Sequence, residues 1–176
     1  MIKKLCFFML ATGFFACNGP KENLPNTGDL YFDVTGYFKK ESERLNRQHH
    51  ELIKTVSVNG VSEQKTVFVK DWTKEFGIFF DADINKNSWR GSFAVHKASG
   101  IEIYSSQLKK IPIKKITVIR AGNLVKKVEV VVEARNILYQ SLDTLIYYPD
   151  SLYSISKKQK IRFLDEKKYR ITGKMK

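Results

Sequence analysis

Apolar residues recur along this chain with two periods, and the change of period divides it. From Leu30 to Gln48 the spacing is helical. Tyr31, Val34, Phe38 and Leu45, with Leu52 just beyond, fall near one face, while Lys39, Lys40, Glu43, Arg44 and Arg47 fall on the other. The pattern predicts an amphipathic helix capped by Asp29, which Gly36 weakens by up to about 1 kcal/mol relative to alanine. Basic amphipathic helices also lie on bilayers. Here Glu41 and Glu43 are interleaved with the bases, which favours a helix packed on a core. A shorter helical spacing joins Trp72, Phe76, Phe79 and Phe80 behind a capping Asp71, and predicts a second helix over Trp72 to Phe80.

Between and after these helices the period is two. Lys54 to Val69 carries Val56 and Val58 on the way out and Val67 and Val69 on the return, and Asn59-Gly60 between them is the dipeptide of a type I′ hairpin turn. From Arg90 onward the chain reads as a meander. Its predicted strands cover Ser92 to Lys97, Ile101 to Tyr104, Lys114 to Ala121, Leu124 to Ala134 and Asn136 to Tyr148. Pro112 marks an edge or bulge before the third of these. A short element at Leu152 to Ile155 follows, then a closing pair, Lys160 to Leu164 and Tyr169 to Gly173. The predicted class is α+β: a mainly antiparallel, curled sheet (meander or half-barrel) with an N-terminal amphipathic helix and a second short helix on its concave face.

The first seventeen residues follow neither pattern. Lys3 and Lys4 precede an apolar run from Leu5 to Ala16, broken at once by Asn18-Gly19-Pro20. A basic start, a short apolar stretch and a small residue at its end make a secretory leader. The stretch falls short of the roughly 20 residues a helix needs to span a bilayer. Ala16-Cys17 resembles a bacterial lipobox, in which the thiol is acylated before cleavage, although Phe14 and Phe15 stand where Leu and a small residue are usual. The predicted organisation is a leader over 1–16, a lipidated tether over 17–28, rich in Pro, Gly and Asn, and a single domain over 29–176.

Charge and cysteine content narrow the chemistry. The chain carries +13, or +11 once Lys3 and Lys4 leave with the leader. For an exported, lipid-anchored protein, anionic lipid, anionic glycan or an envelope protein is a better partner than nucleic acid. Cys6 leaves with the leader and Cys17 is blocked, so the mature chain has no disulfide, thiol nucleophile or cysteine-based metal site. Asp81-Ala-Asp83-Ile-Asn85-Lys-Asn87 has oxygen ligands at alternate positions. A calcium loop would then need glycine where Lys86 stands and glutamate where Ser92 stands, so an Asx turn is the better reading. His49, His50 and His96 make no metal motif, and no serine lies in a nucleophile elbow. No cofactor and no catalytic residue is expected. The aromatic run Trp72, Phe76, Phe79 and Phe80 reads first as core. If it lined an open concave face, those four with Trp89 and Arg90 would bind an apolar ligand.

Taken as a set, Asp29-Leu-Tyr-Phe-Asp33, Lys70-Asp-Trp72, Asp81 to Lys86 with Trp89-Arg-Gly91, and Lys168-Tyr-Arg-Ile-Thr-Gly173 resemble a family of small, uncharacterised lipoproteins of Bacteroidota-type bacteria. The resemblance implies an outer-membrane lipoprotein and brings no activity with it. Surface export in such bacteria goes with an acidic run after the cysteine. Asn18 to Asn23 has only Glu22, beside Lys21, which points to the periplasmic face. The expectation is a membrane-anchored, non-catalytic binding or interaction module. The alternatives are a carrier of a lipid-like ligand in a half-barrel cavity and an envelope hydrolase with a carboxylate pair.

Overall fold

The computed structural model describes residues 30–48 and 50–176; the leader, Cys17, the tether, Asp29 and His49 lie outside the described residues. Helix α1 (Val34–Gln48) is followed by strands β1 (Glu51–Val58) and β2 (Val61–Phe68). Two one-turn helices, α2 (Trp72–Glu75) and α3 (Gly77–Phe80), and a 3-10 turn at Asn87–Trp89 come next. Seven strands complete the described chain: β3 (Ala94–Ala98), β4 (Ile101–Ser105), β5 (Ile113–Ala121), β6 (Leu124–Arg135), β7 (Tyr139–Tyr148), β8 (Leu152–Ile161) and β9 (Lys167–Met175). All strands pair antiparallel in one open, curled sheet of order β2-β1-β9-β8-β7-β6-β5-β4-β3. The α+β class expected from the periodicity is the one observed.

β3 to β9 form an unbroken meander, and the first hairpin is added beyond its last strand. Leu52 lies opposite Met175 and Val58 opposite Tyr169. The hairpin turns as its dipeptide demands, with φ of 50° at Asn59 and 92° at Gly60. Asn59 also ties the turn to β9. Its N–H donates to the Lys168 carbonyl at 2.8 Å, and its side-chain oxygen accepts from the Lys168 N–H at 2.8 Å. Because the strands alternate in direction, the β5–β6 and β7–β8 turns share one end of the sheet, and the β6–β7 and β8–β9 loops share the other.

Three expectations need correction. The first helix begins at Val34, later than expected, and its cap is Asp33. The Asp33 carboxylate accepts the Gly36 N–H at 2.7 Å. A Cβ at Gly36 would sit 1.9 Å from that carboxylate, so the glycine that weakens the helix makes room for its cap. The second helix is two separate turns that break at Phe76. Asp71 caps the first turn as expected, accepting from the Thr73 and Lys74 N–H groups at 3.0 and 3.2 Å. Finally, Leu152 to Ile161 is one ten-residue strand, and residues 162–164 belong to a loop. The inward positions of β8 run Tyr153, Ile155, Lys157, Gln159, and the alternation fades where the inner face turns polar.

The helices fill the concave face. Phe38 of α1 stacks on Phe79 with ring centroids 4.4 Å apart, and meets Phe76 at 5.3 Å and Tyr147 at 5.4 Å. Trp72 packs on Phe76 at 5.1 Å. Beneath them, Tyr104, Ile116, Val118, Val128, Val130, Leu145, Tyr147 and Tyr153 supply a buried floor from β4 to β8. Full burial of such side chains contributes roughly 1.5–3 kcal/mol each, so this layer dominates the stability of the domain. No described helix is long and apolar enough to cross a membrane.

Candidate functional site

Where the helical layer meets the sheet, one arrangement occurs three times. A tyrosine buries its ring in the core and donates its hydroxyl to a glutamate, which also holds a base. Tyr147 of β7 donates to Glu41 of α1 at 2.6 Å. Arg44 grips the same carboxylate with two hydrogen bonds of 3.1 and 2.8 Å and reaches Asp150 at 2.7 Å. Tyr104 of β4 donates to Glu102, which accepts from Arg120 at 2.6 Å and lies 3.5 Å from Lys97. Tyr153 of β8 donates to Glu75 of α2, which pairs with Lys54 of β1 at 2.6 Å. Each group gives a buried phenol the partner it needs and ties helix to sheet, or strand to strand, at the rim of the core.

Two of these groups border a cleft of about 820 Å³ between the start of α1 and the β5–β6 turn end of the sheet. Its walls carry Lys40, Arg44, Arg120 and Lys126 beside Glu41 and Glu102. Leu30, the first described residue, also lines it. Its acids are engaged. Glu41 and Glu102 sit in the triads, Asp150 holds Arg44 and Asp33 caps α1. Burial alone would raise the Glu102 carboxyl, but the Tyr104 hydroxyl and the Arg120 guanidinium outweigh it and hold the group below the usual carboxylate range. The phenols of Tyr104, Tyr147 and Tyr153 are pushed well above the usual value, first by burial and then by the glutamate each one meets. Such a site holds paired charges of both signs.

The structure separates the residues weighed for ligand binding. Trp72, Phe76 and Phe79 are fully buried in the core, where they offer no surface to a ligand. Phe80 is half-buried against that core. Trp89 is half-buried, 6.5 Å from the Phe93 ring, with the Lys86 ammonium 4.5 Å from its centroid, and Arg90 is exposed. The metal-like run is a turn: Asp83 accepts the Asn85 N–H at 2.8 Å, and Asn85 in turn accepts the Tyr31 N–H at 3.1 Å. Among the described residues no group of three or more His, Cys, Asp or Glu side chains converges. The sequence did not bring the residues of the triads together. Their only signal was local: Glu41 and Arg44 at i, i+3 on the polar face of a helix, and tyrosines at inward strand positions.

No family model, curated protein or solved structure matches this chain.

Proposed function

We propose that the protein is an envelope lipoprotein, held in the outer membrane through acylated Cys17 on the periplasmic face, that works as a non-catalytic binding or interaction module. The observation that carries the reading is the filled concave face. A lipid-like cargo would need the space that Phe38, Phe76 and Phe79 occupy. An envelope hydrolase would need a carboxylic acid kept protonated near neutral pH, whereas the Glu102 carboxyl is held below the usual carboxylate range. The cleft beside α1 is charged, which suits a polar partner, a protein segment or a glycan, better than an apolar one. The basic leader, its short apolar run and Ala16-Cys17 support the anchor.

Labelled palmitate tests the anchor on the full chain. The wild type should incorporate label and sediment with membranes, and Cys17→Ala should do neither. An unlabelled wild type would refute the lipoprotein reading. Native mass spectrometry of the domain extracted from envelopes tests the filled interior. A bare polypeptide mass is expected, and a co-purifying lipid of defined mass would restore the carrier.

A further inference from the structure

At the loop end of the sheet, opposite the cleft, four large apolar side chains stand in solvent. Ile137 and Leu138 in the β6–β7 loop are 86% and 61% exposed, and Phe163 and Leu164 in the β8–β9 loop 90% and 59%. The two loops are one unit, since the Arg162 N–H donates to the Leu138 carbonyl at 2.8 Å. Several of their backbone groups are paired within the two loops. Asn136 accepts the N–H groups of Leu138 and Tyr139 at 2.9 and 2.8 Å, and the Leu164 N–H donates to the Ile161 carbonyl at 3.0 Å. The apolar side chains are therefore presented by an ordered scaffold. Phe163 adds an independent sign. Its φ is 68°, a left-handed conformation unfavourable for a bulky residue, and its ring gains no burial there.

The surroundings name the partner. Residues 135–139 and 158–168 hold six bases against two acids. Of the acids, Glu166 is shared between Lys158 at 3.1 Å and Lys168 at 3.8 Å. The Arg162 guanidinium lies 5.0 Å from the Phe163 ring, at the base of the apolar projection. Apolar side chains at a loop tip, ringed by Arg and Lys, match a bilayer interface with anionic headgroups. The apolar groups enter the acyl boundary and the bases stay at phosphate level. We propose that this tip inserts into the surface of an anionic lipid bilayer, at the end of the sheet opposite the cleft that Leu30 lines. It gives the binding module a lipid partner but does not require Cys17.

The test uses the chain from Asn18, which keeps every described element and has no other cysteine. Labelled with an environment-sensitive fluorophore at Asp165→Cys, an exposed position beside the apolar tip, it is mixed with phosphatidylglycerol–phosphatidylcholine vesicles and with pure phosphatidylcholine vesicles. The expected result is a blue shift and co-sedimentation with the anionic vesicles only. Phe163→Gly, read without label, should bind them about tenfold or more weakly, the effect of withdrawing one buried aromatic side chain. It should also melt no lower than wild type, because glycine accepts the left-handed backbone. Co-sedimentation with the probe still in water, or wild-type binding by Phe163→Gly, would mean adsorption through lysines alone and would overturn insertion. Failure to bind either vesicle would overturn it too and direct the search to a protein partner. Since the tested chain lacks Cys17, a failed insertion and a failed palmitate labelling are separate results.

Discussion

Gly173 lies in β9 directly opposite Tyr153 of β8 and Lys54 of β1. A Cβ built there would stand 2.2 Å from Tyr153 Cε1, 2.5 Å from Cζ and 2.8 Å from the hydroxyl. The Tyr153 ring thus lies across the place of the missing side chain, and that position sends its hydroxyl to Glu75. Gly173 is not among the residues with left-handed backbone, so alanine meets no conformational penalty and only the ring decides the outcome. Gly173→Ala must displace a fully buried ring that meets Phe76 at 5.9 Å. Overpacking of this kind costs about 1–3 kcal/mol. For a domain of this size that lowers Tm by roughly 2–12 °C. In a Tyr153→Leu background the obstacle is gone, and the same substitution should cost less than about 0.5 kcal/mol, a coupling of roughly 0.5–3 kcal/mol in a double-mutant cycle. Urea and thermal unfolding of the four proteins, followed by circular dichroism, would measure it. A Gly173→Ala variant as stable as wild type, or strictly additive substitutions, would refute the reasoning.

Two further predictions concern the buried polar groups. The Ser42 hydroxyl is buried in α1 without a hydrogen-bond partner, so Ser42→Ala should raise stability by about 1 kcal/mol, read as an upward shift of Tm; an unchanged or lower Tm would mean the hydroxyl is satisfied. Tyr37, Tyr104, Tyr147 and Tyr153 are raised in the folded state, above all by burial. Their contribution to stability is complete below the unfolded phenol value of about 10 and is lost as pH rises through the higher folded values. In an absorbance titration they should ionise together with the alkaline loss of circular dichroism, and smooth ionisation of all tyrosines before unfolding would count against their burial.

How far the sequence spoke depends on how local each cause was. The hairpin was legible because Asn59-Gly60 carries its own turn geometry. Trp72, Phe76 and Phe79 were legible as core because helical spacing survives even when the helix breaks into two turns. The far half of β8 was not, since Lys157 and Gln159 take the inward positions beyond the helical cover. The cap of α1 fell on Asp33 rather than Asp29 because of the space at Gly36, which only the folded turn reveals. The tyrosine–glutamate pairs across the core were out of reach, for Tyr147 and Glu41 lie 106 positions apart, and Tyr153 and Glu75 78 apart. The apolar tip was hidden because Ile137, Leu138, Phe163 and Leu164 read as the ends of strands.

The place of β9 between β8 and β1 sets the order in which the protein can be made. Asn59 and its partner Lys168 are 109 positions apart, so the first hairpin meets its neighbouring strand only after most of the domain has emerged. A lone two-stranded hairpin is marginal in water, so until then β1 and β2 remain a solvated, chaperone-accessible segment. A chain translated or translocated only as far as β8 would hold two unjoined pieces with their pairing edges bare, one on each side of the gap β9 fills. Loss of β9 therefore yields an aggregation-prone fragment rather than a slightly shortened protein, because β9 is the strand that joins the two pieces.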